Sequence, residues 1–141
     1  TPEPRRGRRF QKHERLRTDR EFAAVYADGR RYAAGGIVVC VRRRHAHDLP
    51  TRLGISISRR AAPTAVARNT FKRRVREVFR LHKHGFSPGW DLVVVARRDG
   101  AEMTYAELRR TILEALAARV SSLTTSALLT AIDWYRLLLH P

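Results

Sequence analysis

The chain has 141 residues, room for one domain and a tail, and 43% of them are hydrophobic, enough for a real core. Lys and Arg number 29 against 13 acids, a formal net charge of +16, and self-repulsion of that size points to a polyanionic partner, nucleic acid first and an anionic membrane surface second. The single cysteine, Cys40, excludes an internal disulfide and a cysteine zinc site, and no stretch offers the twenty or so clean apolar residues of a spanning helix.

Residues 1–14, TPEPRRGRRFQKHE, are rich in Pro, Gly and Arg and read as a disordered basic arm. They contain no apolar signal core, so a cytoplasmic protein is expected. Thr18-Asp-Arg-Glu21 is a capping box, which predicts a helix from Asp19 to Asp28-Gly29 presenting Phe22, Val25 and Tyr26. GGIVVCVRRR puts Ile37, Val39 and Val41 on one face of a strand. RLGISISRR alternates, with Leu53, Ile55 and Ile57 facing one way and Arg52, Gly54, Ser56 and Ser58 the other.

Pro63-Thr64 opens a helix for which Gly85 is a suitable C-terminal cap. Trp90 to Ala96, WDLVVVA, is a continuous apolar run and reads as a buried strand. Thr104-Tyr-Ala-Glu107 is a second capping box, and the helix after it aligns Leu108, Ile112 and Leu116. The class is α+β: a small central sheet of about four strands packed with three helices, with a strand–helix–strand crossover around the basic helix.

That helix, ARNTFKRRVREVFRLHKHG, carries seven Lys or Arg in nineteen residues. On a helical wheel Phe71, Val75, Val78 and Phe79 share an apolar arc. Arg68, Lys72, Arg76 and Arg80 step by four beside it, Arg73 and Lys83 widen the stripe, and Asn69 falls inside it. Like charges at i, i+4 destabilise a helix, and this stripe has three successive such pairs and no acid to offset them. A solvated face normally mixes signs, so a phosphate-tracking surface is the better account. RNA is favoured over DNA because no helix-turn-helix partner or dimer seam is visible, and because Phe22 and Tyr26 suit stacking on unpaired bases. Both aromatics also fit a core role, and that choice stays open. The six histidines form no HExxH pattern, and no metal site is expected in the protein. Nor do paired carboxylates, a Ser/His/Asp set or a phosphate-cradling glycine loop occur in motif context, so no catalytic residue is assigned to the polypeptide.

AVARNTFKRRVREVFR resembles the signature of the bacterial ribonuclease P protein subunit, roughly A-V-x-R-N-R-x-K-R-x-x-R-E. Arg68, Asn69, Lys72, Arg73, Arg76 and Glu77 match it. RLRTDREFAAVYADGRR, LGISISRR and WDLVVVARR resemble the family's flanking segments, so the resemblance covers about residues 15–119, within one domain of residues 15–120. It implies a fold like domain 2 of ribosomal protein S5. It implies a monomeric protein that assists a catalytic RNA in cutting the 5′ leader from precursor tRNA, the RNA and its Mg2+ performing the hydrolysis, with no organic cofactor.

Carried over by position, Arg68, Asn69, Lys72, Arg73, Arg76 and Arg80 are RNA contacts. Phe22 and Tyr26, with Arg17, Arg59 and Arg60, are leader contacts. Thr70 stands where the family has a second Arg, a contact expected to be lost or to pass to Arg73 or Arg74. Cys40 stands where the family often has an aromatic facing the leader cleft. A general RNA-binding or ribosome-associated protein is the alternative.

From 121 to 141 the composition changes, with only Asp133 and Arg136 charged. A helix there would put Leu128, Leu129, Ile132, Tyr135, Leu138 and Leu139 on an apolar side, suited to lying on a membrane or packing on the domain. LLTAIDWYRLLLHP also resembles the opening of the membrane protein insertion efficiency factor family, through Tyr135, Arg136, His140 and Pro141. That resemblance implies the start of a fused second domain and a weak membrane-surface contact.

Overall fold

A computed structural model describes residues 10–44, 50–82 and 89–120. The tail from 121, with its expected helix and membrane contact, lies outside the described residues, as do residues 1–9, Gly85, Lys83 and four of the histidines. In chain order the elements are α1 (Asp19–Asp28), β1 (Arg30–Ala34), β2 (Ile37–Arg43), β3 (Arg52–Ser56), α2 (Ala65–His82), β4 (Trp90–Ala96) and α3 (Tyr105–Val120). The four strands form one sheet in the order β1-β2-β4-β3. β1 and β4 run antiparallel to β2, whereas β3 runs parallel to β4, so α2 is the crossover between parallel neighbours. The α+β class and the crossover are as expected.

Local chemistry sets the helix starts. At α1 the Thr18 hydroxyl accepts the Glu21 N–H, and the Glu21 carboxylate accepts the Thr18 N–H in return. Thr104 and Glu107 repeat the exchange at α3. The Thr64 hydroxyl accepts the Ala67 N–H at the head of α2. Each such cap contributes about 1 kcal/mol.

β1 carries no strand signal of its own. Two arginines and two alanines around Tyr32 have weak strand preference, and pairing with β2 imposes the conformation. The turn between them is Gly35-Gly36, with Gly35 at φ +58°, where glycine is favoured.

Strand alternation divides the core between the two faces of the sheet. Ile37, Val39, Val41, Leu53, Leu92 and Val94 face α2 and α3, where they meet Phe71, Val75, Val78, Leu108, Ile112 and Leu113. Cys40 and Val93 face the other way and pack with Val25 of α1 and with Leu16.

Part of the stretch expected as a disordered arm is folded. Residues 10–14 pack on the domain: the Phe10 ring meets Phe79 edge-on at 5.2 Å, and Glu14 is buried. Beyond them Arg15 bridges Leu53 in parallel, and the Leu16 N–H donates to the Leu53 carbonyl at 2.9 Å. The free edge of β3 is thereby covered.

Candidate nucleic-acid interface

The α2 ridge follows from its wheel. Phe71, Val75, Val78 and Phe79 point into the core, which turns Asn69, Arg73 and Arg76 fully outward and leaves Arg68, Lys72 and Arg80 half-buried on the flank. Two arginines of the helix have duties within the domain. Arg68 Nη1 donates to the carbonyls of Ala62 at 2.8 Å and Pro63 at 3.1 Å. This fastens the β3–α2 loop, which carries Arg59 and Arg60, to the first turns of α2. Arg74 Nη1 donates to the Met103 carbonyl at 2.8 Å. Arg74 is therefore tied to the segment that leads into α3; of the two residues expected to take over from Thr70, Arg73 is the exposed one.

One expectation is corrected here. The stripe does have an offsetting acid: Arg80 forks onto the Glu77 carboxylate through Nε, at 3.1 Å, and through Nη2. Hydrogen bonding from Arg80 holds the Glu77 carboxyl below its usual range. The exposed members Asn69, Arg73 and Arg76 have no such acid among the described residues.

The opposite face of the sheet carries a groove. Phe22 lies across Gly54 of β3, so close that a Cβ at Gly54 would stand 2.7 Å from the ring. Tyr26, one helical turn on, is 6.4 Å from Phe22 between ring centres. Both rings are half-buried, at once covering Leu16, Val25, Cys40 and Val93 and walling the open remainder of the sheet. There a cavity of about 290 Å³ is lined by Tyr26, Arg31, Val38, Cys40 and Val95. Cys40 is its floor. Burial pushes the Cys40 thiol up, against an opposing pull from Arg31.

An ion cluster holds α1 over the sheet. Asp91, fully buried, accepts Arg52 Nε and Nη2 on its two oxygens at 2.9 Å each. Arg52 Nη1 reaches Glu21 of α1, also at 2.9 Å. Arg44 Nε stands 3.3 Å from Asp91 Oδ1, an ion pair without hydrogen-bond alignment. The hydrogen bond to Asp91 raises the Arg52 pKa further, so this cation does not titrate. Sequence reasoning missed the cluster. Its available signal was Asp91 itself, a carboxylate in an otherwise apolar strand, which requires a cation nearby.

Ridge and groove thus occupy opposite faces of the sheet. Arg17 is exposed at the entry to α1. Arg59 and Arg60 are exposed in the loop that leaves β3 and enters α2, between the two sites. Among the described residues no three His, Cys, Asp or Glu side chains gather as a metal site, and no helix is long and apolar enough to cross a membrane.

An arginine ridge turned to solvent on one face and an aromatic-walled groove on the other define a small α+β nucleic-acid-binding protein. A family model described as Ribonuclease P matches residues 10–120. The "Ribonuclease P protein component" of Ectopseudomonas mendocina is 40% identical over 101 residues, covering 72% of this chain and 74% of the relative. That of a Picosynechococcus strain is 34% identical over 108 residues, covering 74% and 91%. Among solved structures, the Staphylococcus aureus RNase P protein superposes with a TM-score of 0.66 at 30% identity, covering 77% of this chain and 96% of that one. The Thermotoga maritima RNase P protein gives 0.63 at 32%, covering 73% and 94%. The chain belongs to the ribonuclease P protein family and is the protein part of that endoribonuclease.

Proposed function

We propose that the α2 ridge, Arg68, Asn69, Lys72, Arg73 and Arg76, lies against the catalytic RNA of ribonuclease P, and that the groove walled by Phe22 and Tyr26 holds the 5′ leader of precursor tRNA. In this reading the polypeptide is a cytoplasmic monomer that carries out no chemical step. Two RNAs repel each other. A cationic protein between them, with contacts on both faces of one sheet, lowers that repulsion and fixes the leader relative to the cleavage point.

Mg2+ belongs to the RNA and supplies the Lewis-acid chemistry of hydrolysis. Arg80 contributes less than its neighbours, because Glu77 already occupies its fork. Arg17 stands on the groove side, at the entry to α1. Arg59 and Arg60 meet phosphates that pass between the two sites.

The observation that carries this reading is the outward row Asn69, Arg73 and Arg76, with no acid of the described residues against it. An amide within a row of guanidinium groups suits a folded RNA that offers both base edges and phosphates. The test is the salt dependence of binding to ribonuclease P RNA. If about six phosphates are neutralised, log K falls against log salt with a slope of about −4 to −5. A slope near zero would remove the ridge from the interface.

A further inference from the structure

The two edges of the sheet are treated differently. The Arg15–Leu53 bridge covers β3, whereas among the described residues β1 is the open edge. Two adjacent arginines, Arg30 and Arg31, are exposed on it. The ladder sets Arg31 opposite Cys40, on the groove face, and Arg30 opposite Val41, on the α3 face. Arg31 lines the groove cavity with Tyr26, Val38 and Val95. Both arginines line a second cavity, of about 110 Å³, that continues over the edge beside Tyr32, Ala115 and Ala118. Among the described residues no acid is paired with either. The acid at this end of the sheet, Asp28, stands 3.7 Å from Arg42 and is itself largely exposed.

Arginines on an edge strand can serve simply to prevent edge-to-edge pairing between molecules. That role asks for charge at the rim. It does not ask for a guanidinium that lines an apolar groove together with Tyr26. A phosphate there accepts charge-assisted hydrogen bonds from the guanidinium, while the apolar floor takes the base.

We propose that Arg31 and Arg30 form a phosphate-holding lip, Arg31 on the groove side and Arg30 over the rim, that grips the RNA leader where it leaves the groove across β1. The proposal rests on the reading that the groove holds the leader. It adds that the grip extends past the groove, so that leader length matters.

The experiment measures the affinity of the holoenzyme, protein with ribonuclease P RNA, for precursor tRNAs with leaders of increasing length and for leaderless tRNA. Wild type is compared with Arg30→Ala/Arg31→Ala, and with Arg97→Ala/Arg98→Ala as a charge-matched control. The wild type and the control gain affinity as the leader lengthens beyond the groove. The lip variant loses that late gain, about tenfold, and its salt slope becomes shallower by roughly 1.4, the share of two single-strand phosphates. Its affinity for leaderless tRNA stays within about twofold of wild type.

Equal losses for long, short and absent leaders would overturn the lip, because the arginines would then be general cations. Unchanged affinities with new self-association by light scattering would overturn it in favour of edge protection. If the wild type itself failed to distinguish leader-bearing from leaderless tRNA, the groove reading would fall and the lip with it.

Discussion

Arg52 grips Asp91 with two parallel hydrogen bonds of 2.9 Å and reaches Glu21 with its remaining nitrogen. One guanidinium thereby ties β3 to β4 on the groove face and draws α1 down onto both. The groove owes its second wall to that tie, since Phe22 follows Glu21 directly and Tyr26 lies one turn further along the same helix.

Removing Arg52 leaves a fully buried carboxylate with, among the described residues, only the misaligned Arg44 as a cation beside it. Arg52→Ala is expected to destabilise the fold by about 3 kcal/mol, the low end for breaking a buried pair. The double variant Arg52→Met/Asp91→Leu recovers only part of this, because the buried carboxylate is gone but Arg44 and Glu21 lose their partners. Urea melts of the three proteins check it. Equal stability of wild type and Arg52→Ala would show that Arg44 alone suffices.

Gly54 is the contact point between sheet and helix. A methyl group there meets the Phe22 ring at 2.7 Å and Leu16 Cβ at 3.1 Å. Gly54→Ala therefore moves the Phe22 ring. It is expected to cost about 1–3 kcal/mol by overpacking. Affinity for leader-bearing tRNA should fall while affinity for the catalytic RNA holds. Calorimetry and paired binding assays read the two effects separately, and a parallel loss of both affinities would contradict the separation of groove from ridge.

Lys72→Ala and Arg76→Ala are expected to weaken binding to the catalytic RNA, each making the salt slope shallower by about 0.7 to 0.9, with melting curves unchanged. Arg80→Ala should weaken it less, because Glu77 holds that side chain. Arg68→Ala should lower RNA affinity and also cost about 1 kcal/mol of stability, through the lost bonds to Ala62 and Pro63. Circular dichroism melts beside filter binding separate these outcomes. Unfolding of the Lys72 or Arg76 variant would make the ridge structural.

His82 makes stability depend on pH. Burial lowers its pKa from the usual 6.5; a hydrogen bond to the Val78 carbonyl opposes this, and the Arg109 cation adds to it. Nδ1 lies 2.9 Å from that carbonyl, and Nε2 accepts from Arg109 Nε at 3.2 Å, so the ring is neutral with its proton on Nδ1. With the folded value below the unfolded one, the unfolded chain binds the extra proton first. Stability from this site is complete above about pH 6.5 and is lost as pH falls through the folded pKa. Thermal melts from pH 8 to pH 5 should show a steeper decline for wild type than for His82→Gln, whereas parallel curves would remove His82 from the account.

The legible parts of the fold were those set by neighbours in sequence. Thr18 with Glu21, and Thr104 with Glu107, announce helix starts within four residues. The spacing of Phe71, Val75, Val78 and Phe79 announces which side of α2 is buried and so which side carries the ridge. The hidden parts depend on partners far along the chain. Arg52 and Asp91 are 39 residues apart, and the carbonyl that claims Arg74 is 29 away. β1 exists only because β2 lies beside it. Phe22 was ambiguous between core and groove because it belongs to both, covering Gly54 with one part of its ring and walling the groove with the rest.

The most direct test of the whole account is reconstitution. The purified chain is mixed with a bacterial ribonuclease P RNA at a Mg2+ concentration too low for the RNA to act alone, and release of the 5′ leader from precursor tRNA is followed. The account predicts cleavage only when both are present, with none from the protein alone. Cleavage by an RNA-free sample, or no gain when the protein is added, would contradict it.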